Sequence, residues 1–187
     1  MNTELIYDTY APTEEPELEI IMNMFNIQPG ETFCDLGSGK GDVLIKAAQL
    51  GAQCYGYEID TDLINESNNK INEFELTNNI NILNQDFYNQ DISNYNLIYV
   101  NLSEEAVIIL LDKLLEAGEK GARIIMNMGM EGFRRCRQCN RVIYNEEIFN
   151  IKTVRFELSN IPWFINTPGY ETNDLGPYTH ILMTINI

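Results

Sequence analysis

Positive charge is scarce in this chain. Its 187 residues carry 12 Lys and Arg against 28 Asp and Glu, a formal net charge of −16. Such a field repels a phosphate backbone at long range and draws basic partners. It argues against a dedicated DNA or RNA binder, although the same acidity also serves solubility alone. No run reaches the ~18 apolar residues of a membrane span. The N-terminal "MNTELIYDTYAPTEEPELE" is acidic and has no apolar centre, so it reads as neither signal nor transit peptide. An intracellular, cytoplasmic protein is expected. Histidine occurs once, at His180, and cysteine four times. Cys34 and Cys54 fall inside apolar, strand-like runs and read as core side chains. Cys136 and Cys139 form a CxxC in "FRRCRQCNR", half of a zinc site without a second ligand pair, so no metal is expected.

The hydrophobic pattern alternates between two periods. "EPELEIIMNMFNI" sets Leu18, Ile21, Met22 and Phe25 on one helix face, and "QPGE" ends it. Strands are predicted at 32–36, 52–59, 80–83, 95–101 and 122–128. Helices are predicted between them: 40–50; a second capped by Thr61 with Ile64, Ser67, Ile71 and Phe74 along one side; and a third capped by Ser103. That third helix buries Val107, Ile108, Leu111, Leu114 and Leu115 and closes at Gly118. Short links between alternating strands and helices imply a mostly parallel sheet with helices on both faces. "TVRFEL" (153–158) and "YTHILMTINI" (178–187) read as two strands joined without a helix, the antiparallel edge of a seven-stranded, doubly wound sheet. No repeat, linker or second domain is visible, and residues 1–187 read as one domain.

The chemistry concentrates in "TFCDLGSGKGDVLIKAA", Thr32 to Ala48. An apolar strand ends on Asp35, glycines follow at 37, 39 and 41, and an amphipathic helix begins. A dinucleotide loop is spaced GxGxxG and holds a pyrophosphate on helix N–H groups. Here the spacing is GxGxG, with Asp35 before it and Asp42 after it, and two carboxylates repel a pyrophosphate. They suit S-adenosyl-L-methionine instead, whose methionine end is an ammonium and whose sulfur is cationic. Glycines let the backbone approach such a ligand without side-chain collision. Glu58 ends the second strand, placed to accept from both ribose hydroxyls. Asp86 follows the third strand, placed for the adenine amino group, with Phe87 against the ring.

"DLGSGKGDVLIKAA", "YGYEID" and "QDF" resemble motifs I, post-I and II of class I S-adenosylmethionine-dependent methyltransferases, over roughly residues 30–130. The stretch from "YAPTEE" through "YGYEID" (10–60) is similar to the small seven-strand protein-lysine methyltransferases of archaeal and mitochondrial type. It is distantly like the non-SET histone-lysine methyltransferases. The Val-Pro-Thr of those enzymes is met in part by Ala11, Pro12 and Thr13. The resemblance implies a cofactor site of Thr13, Asp35, Leu36, Gly37, Ser38, Gly39, Gly41, Asp42, Glu58, Ile59, Asp86, Phe87 and Asn101. It divides the chain into an N-terminal lid and helix (1–28), a cofactor-binding core (29–128), and C-terminal strands with a substrate loop (129–187). Tyr7 and Tyr10 read as part of the lid.

At the acceptor side, enzymes that methylate exocyclic amines of bases carry [D/N]-P-P-[F/Y] after the fourth strand. This chain has Asn101, Leu102 and Ser103, without the proline or the aromatic, which argues against nucleic-acid amines. Asn101 either offers its amide oxygen to a substrate amine or caps the next helix beside Ser103. Tyr10 and Asn101 are the candidate catalytic residues. Trp163, Phe164 and Tyr170 either wall an amine channel or cover the core edge. Arg134, Arg135, Arg137 and Arg141 either hold an acidic partner or pair with Glu146 and Glu147. The expected substrate is a lysine amine on a basic protein. A small-molecule N- or O-methyltransferase and a non-catalytic scaffold of the same fold are the alternatives.

Overall fold

The structure is a computed structural model, and it describes residues 7–129, 149–155 and 179–185. In chain order the elements are α1 (Glu15–Phe25), β1 (Thr32–Leu36), α2 (Asp42–Gln49), β2 (Gln53–Glu58), α3 (Thr61–Glu73), β3 (Ile80–Asn84), a 3-10 turn (Phe87–Asn89), β4 (Leu97–Val100), α4 (Glu104–Glu119), β5 (Arg123–Gly129), β6 (Phe149–Arg155) and β7 (Thr179–Ile185). The strands form one sheet in the order β3-β2-β1-β4-β5-β7-β6. β1 to β5 run parallel, as the alternation with helices implies. β7 lies antiparallel beside β5, and β6 antiparallel beside β7. The parallel part is therefore five strands wide.

Period-two alternation divides the core into two layers. Cys34 and Leu36 of β1, with Ile98 and Val100 of β4, pack against α4. Phe33, Leu97 and Tyr99 face α1 and α2 on the other side. The predicted α1 stripe of Leu18, Ile21, Met22 and Phe25 is buried as expected, and so are Cys34 and Cys54. Burial pushes both thiols up, Cys54 to about 12, so they remain protonated packing groups.

Several boundaries differ from expectation. α2 starts at Asp42 rather than 40, because Gly39 and Gly41 both hold left-handed backbone (φ 51° and 77°) before the helix begins. The cap of α3 is Asp60, whose carboxylate accepts from Asp62 and Leu63 N–H; Thr61 is already helical. A charged Asx side chain outcompetes the hydroxyl one residue later. Phe74 ends α3 and is 53 % exposed, since the chain turns away at Glu75 (φ 57°). Ser103 does cap α4, but that helix continues through Gly118, and Gly121 (φ 96°) makes the turn. α4 buries Leu110, which the pattern missed, while Ile108, Leu111 and Leu115 are only partly buried. β4 is shorter than predicted and β6 lies four residues earlier, at Phe149–Arg155 instead of 153–158. The helix-free link before β7 lies outside the described residues.

Candidate active site

From β1 the chain moves outward to β2 and β3, then returns to place β4 on the other flank of β1. The two sides diverge at the carboxyl ends of β1 and β4, which leaves a crevice there. Lining it are Tyr10, Ala11, Pro12, Thr13, Asp35, Gly37, Ser38, Lys40, Asp42, Val43, Tyr99 and Asn101. Asp35 and Tyr99 are register partners on the neighbouring strands.

Asp35 is 3 % exposed, and no hydrogen bond reaches its oxygens among the described residues. Burial first, and the Glu58 carboxylate second, push its carboxyl up to about 8. Glu58 is also buried, but both of its oxygens are engaged. Its Oε2 accepts from Gly39 N (2.9 Å) and its Oε1 from Ile59 N (2.8 Å) and Asp60 N (2.9 Å). The carboxylate expected to clasp a ribose diol thus pins the glycine turn, and three backbone donors already fill most of its acceptor capacity. Gly37 N and Ser38 N both donate to Tyr57 O. Gly37, Gly39 and Gly41 all have φ between 51° and 81°.

Residues 7–13 lie across this turn as a strap. The Tyr7 hydroxyl donates to Asp86 Oδ2 (2.9 Å), and its ring meets Tyr88 edge-on. Asp8 accepts from Ser103 N (2.7 Å) at the start of α4. The Tyr10 ring covers Gly39 so closely that a Cβ there would drive into it, and Lys40 sits 5.6 Å over the ring. Burial, then Asp42, Glu14, Glu66 and Asp35, push the Tyr10 phenol up to about 12. Tyr10 therefore stays a phenol at neutral pH. Thr13 Oγ1 and Tyr99 OH are 2.9 Å apart, and Asn101 Nδ2 donates to Thr13 Oγ1 and Ala11 O, both at 3.2 Å. With the strap closed, the crevice holds about 20 Å3, room for one water.

Of the expected site residues, Tyr10, Thr13, Asp35, Gly37, Ser38, Asp42 and Asn101 share this crevice, with Gly39 under Tyr10. Asp42 is paired with Lys70 at 2.6 Å. Glu58, Ile59 and Asp86 stand along the neighbouring strand ends, with Ile59 47 % exposed. Leu36 and Gly41 are buried, so only backbone is left to touch a ligand. Phe87 is 8 % exposed and belongs to the α4-side core, so little of its ring is free. The reading of Asn101 as a helix cap is overturned: Ser103 Oγ caps α4, and the Asn101 amide holds the strap. Sequence reasoning missed Tyr99 and Asn127, whose Nδ2 lies 3.1 Å from Tyr99 OH. The signal was one aromatic hydroxyl inside "LIYVN", a polar tip in a fully buried strand that demands a partner. Cys136, Cys139, the arginine island, Trp163, Phe164 and Tyr170 lie outside the described residues.

Parallel strands with a glycine turn at the switch point, and acids at three successive strand ends, define a class I S-adenosylmethionine-dependent methyltransferase. Residues 35–128, just over half of the chain, match the ANTKMT methyltransferase domain, and the chain belongs to that family. It is 29 % identical over 86 residues to an rRNA adenine N-6-methyltransferase of Clostridium perfringens, covering 46 % of this chain and 34 % of that one. The match thus spans about a third of the length of that curated relative. Among solved structures, an RNA methyltransferase of Salinibacter ruber with bound S-adenosyl-L-homocysteine aligns with TM-score 0.63 at 19 % identity, covering 94 % of this chain and 93 % of that one. An S-adenosylmethionine-dependent O-methyltransferase of Thermotoga maritima aligns with TM-score 0.69 at 13 % identity, over 96 % and 68 %. At these identities the structures share the fold alone. No helix among the described residues is long and apolar enough to cross a membrane.

Proposed function

We propose that the chain transfers a methyl group from S-adenosyl-L-methionine to an amine, and that the acceptor is a lysine side chain on a basic protein. The observation that carries the cofactor reading is Asp35. A buried carboxylate without a donor among the described residues, beside a second carboxylate, is an expensive arrangement that a cation relieves. The methionine ammonium and sulfonium are such cations, whereas a pyrophosphate worsens the repulsion. The turn residues Gly37, Ser38 and Gly39 then back the ligand, with Leu36 and Gly41 contributing only backbone. Asp42 adds negative charge, Ile59 offers an exposed apolar surface, and Glu58 and Asp86 serve the adenosine side, with Phe87 supporting from behind. When bound, the cofactor supplies an electrophilic methyl on sulfur.

The remaining work falls to the chain's own residues, and most of it is positioning. Lysine must lose a proton from an ordinary pKa of about 10.4, and desolvation lowers that value. Asn101 Oδ1 is placed to accept from the incoming amine, with Leu102 and Tyr10 as apolar walls. Ser103 and Glu104 stand where base-methylating enzymes have proline and an aromatic, so no ring occupies that position. The net charge of −16 points the same way. RNA adenine is the second reading, favoured by the named activity of the curated relative. Residues 1–187 act as one cytoplasmic domain in this reading.

Tritiated methyl transfer into cell extract, split into protein, RNA and small-molecule fractions, decides among these. Label on protein lysine is expected. Label confined to RNA establishes the second reading, and label in small molecules alone overturns both. Rate should rise with pH as more lysine becomes neutral, and fall with salt.

A further inference from the structure

The Asn101 amide is held in one orientation by a relay that begins in the core, and we propose that Thr13 and Tyr99 are positioning residues for it. This inference rests on the reading of Asn101 Oδ1 as the acceptor-amine contact.

Asn101 stands just beyond the last residue of β4, half-buried, on the crevice wall. Its amide nitrogen is identified by chemistry, because Ala11 O is a carbonyl and only accepts. A flipped amide would set two oxygens 3.2 Å apart. The NH2 therefore faces the strap, and Oδ1 has no protein partner among the described residues. That oxygen is the only side-chain polar atom of Asn101 left for a ligand.

Ala11 O alone is a weak hold, since it belongs to an exposed strap residue. The second hold is Thr13 Oγ1, at 3.2 Å. Thr13 is 9 % exposed, and its hydroxyl is fixed by Tyr99 OH at 2.9 Å. Tyr99 is 1 % exposed, locked between the layers, and its hydroxyl is approached by Asn127 Nδ2 of β5 at 3.1 Å. The relay thus runs from β5 through β4 to the strap and back to the crevice. Each member is at least as buried as the group it orients, which is how a rigid scaffold fixes a group that touches substrate. Family resemblance gives Thr13 a cofactor contact. Here its hydroxyl is committed to Tyr99 and Asn101, so its effect on transfer runs through the amide.

The test combines three readouts on the full chain. Methyl transfer is followed with tritiated S-adenosylmethionine and poly-L-lysine as the probe acceptor. Cofactor affinity is read by calorimetry with S-adenosylhomocysteine. Solvent exchange of the Asn101 side-chain NH2 is read by NMR. Thr13→Val removes the hydroxyl at constant shape. It is expected to speed exchange at least about fivefold and to lower kcat about five- to twentyfold, with S-adenosylhomocysteine affinity unchanged within twofold. Thr13→Ser restores both. In an Asn101→Ala background Thr13→Val adds no further loss, because nothing is left to orient. Tyr99→Phe keeps Thr13 and fills the same space, and gives about a two- to fourfold effect in the same direction, which carries the test if Thr13→Val does not fold.

Unchanged exchange in both variants overturns the proposal, as does a full additional loss in the Asn101→Ala background. A fall in S-adenosylhomocysteine affinity equal to the fall in kcat also overturns it, since that marks Thr13 as a cofactor contact. If the wild-type chain leaves poly-L-lysine unlabelled, the lysine reading fails while the NH2 exchange still decides the relay.

Discussion

Asp35 and Glu58 end adjacent strands and are buried to similar depth, 3 % and 9 % exposed. Their surroundings are opposite. Glu58 accepts three backbone N–H groups and holds the glycine turn in place. Asp35 accepts none among the described residues, and burial with the Glu58 charge keeps its carboxyl near 8. One acid is engaged by the protein and the other, among the described residues, is not. Two acids that look equivalent in the pattern therefore differ in what the protein gives them, and the difference is made by which N–H groups the turn directs at each.

The largest effect is expected at Glu58. Glu58→Ala strands three N–H groups, one of them deep under Tyr10, and should cost about 2–4 kcal/mol in chemical denaturation. The turn then loses its shape, and S-adenosylhomocysteine affinity should fall about a hundredfold or more by calorimetry. A variant that binds weakly at unchanged stability would show Glu58 to be a pure ligand contact and erase the contrast.

Asp35→Asn should behave in the reverse way, losing affinity while gaining stability. Affinity should drop about tenfold to a hundredfold, the scale of a hydrogen bond to a charged group. The stability sign follows from the raised carboxyl. The folded chain holds a proton between the ordinary Asp value of about 3.9 and about 8 that the unfolded chain has released. Wild-type stability therefore falls as pH rises through that window and levels off above it. Asparagine does not titrate, so the melting-temperature advantage of the variant should grow from pH 5 to pH 8, reaching several degrees. In the wild type, affinity for the cationic cofactor should rise over the same window, by at most about tenfold per pH unit. An affinity flat in pH would separate Asp35 from the cation.

Glycine substitutions give a smaller effect that compares the turn with an ordinary loop. Gly39→Ala strains a φ of 51° and forces a Cβ into Tyr10, whereas Gly30→Ala strains a φ of 87° but meets open space. Both should destabilise, Gly30→Ala by about 1 kcal/mol and Gly39→Ala by about 1 kcal/mol more, unless the strap lifts. Equal losses would show that the strap yields freely, and Gly39→Ala would then read as a loosened Tyr10.

The smallest effect is expected at Asp86, which shares its carboxylate with the exposed Tyr7 hydroxyl. Tyr7→Phe removes one of two donors on that oxygen, Asn89 Nδ2 remaining at 3.1 Å, and should tighten S-adenosylhomocysteine binding by about two- to threefold, the modest scale of an exposed contact. Weaker binding would instead make Tyr7 part of the adenosine site.

The parallel sheet, the glycine turn and the acids at three strand ends were legible in the sequence because each is a local event. A two-residue period, a GxGxG after an apolar run, and a carboxylate at the end of that run need no distant partner to be recognised. Element ends were less legible where two local signals competed, as with Asp60 and Thr61 for one cap, or Gly118 and Gly121 for one turn. What each site residue does was decided only in three dimensions. Glu58 became a brace because the turn of β1 aims Gly39 N at it, nineteen residues away in sequence. Phe87 was drawn into the core by α4. Tyr99 and Thr13 met across 86 residues, through a strand register and a strap that no spacing announces. The sequence by itself determined which groups could be present at the switch point. Tertiary structure alone determined which of them are satisfied by the protein and which have no partner among the described residues, because a hydrogen bond between distant residues depends on where the whole sheet puts their backbones.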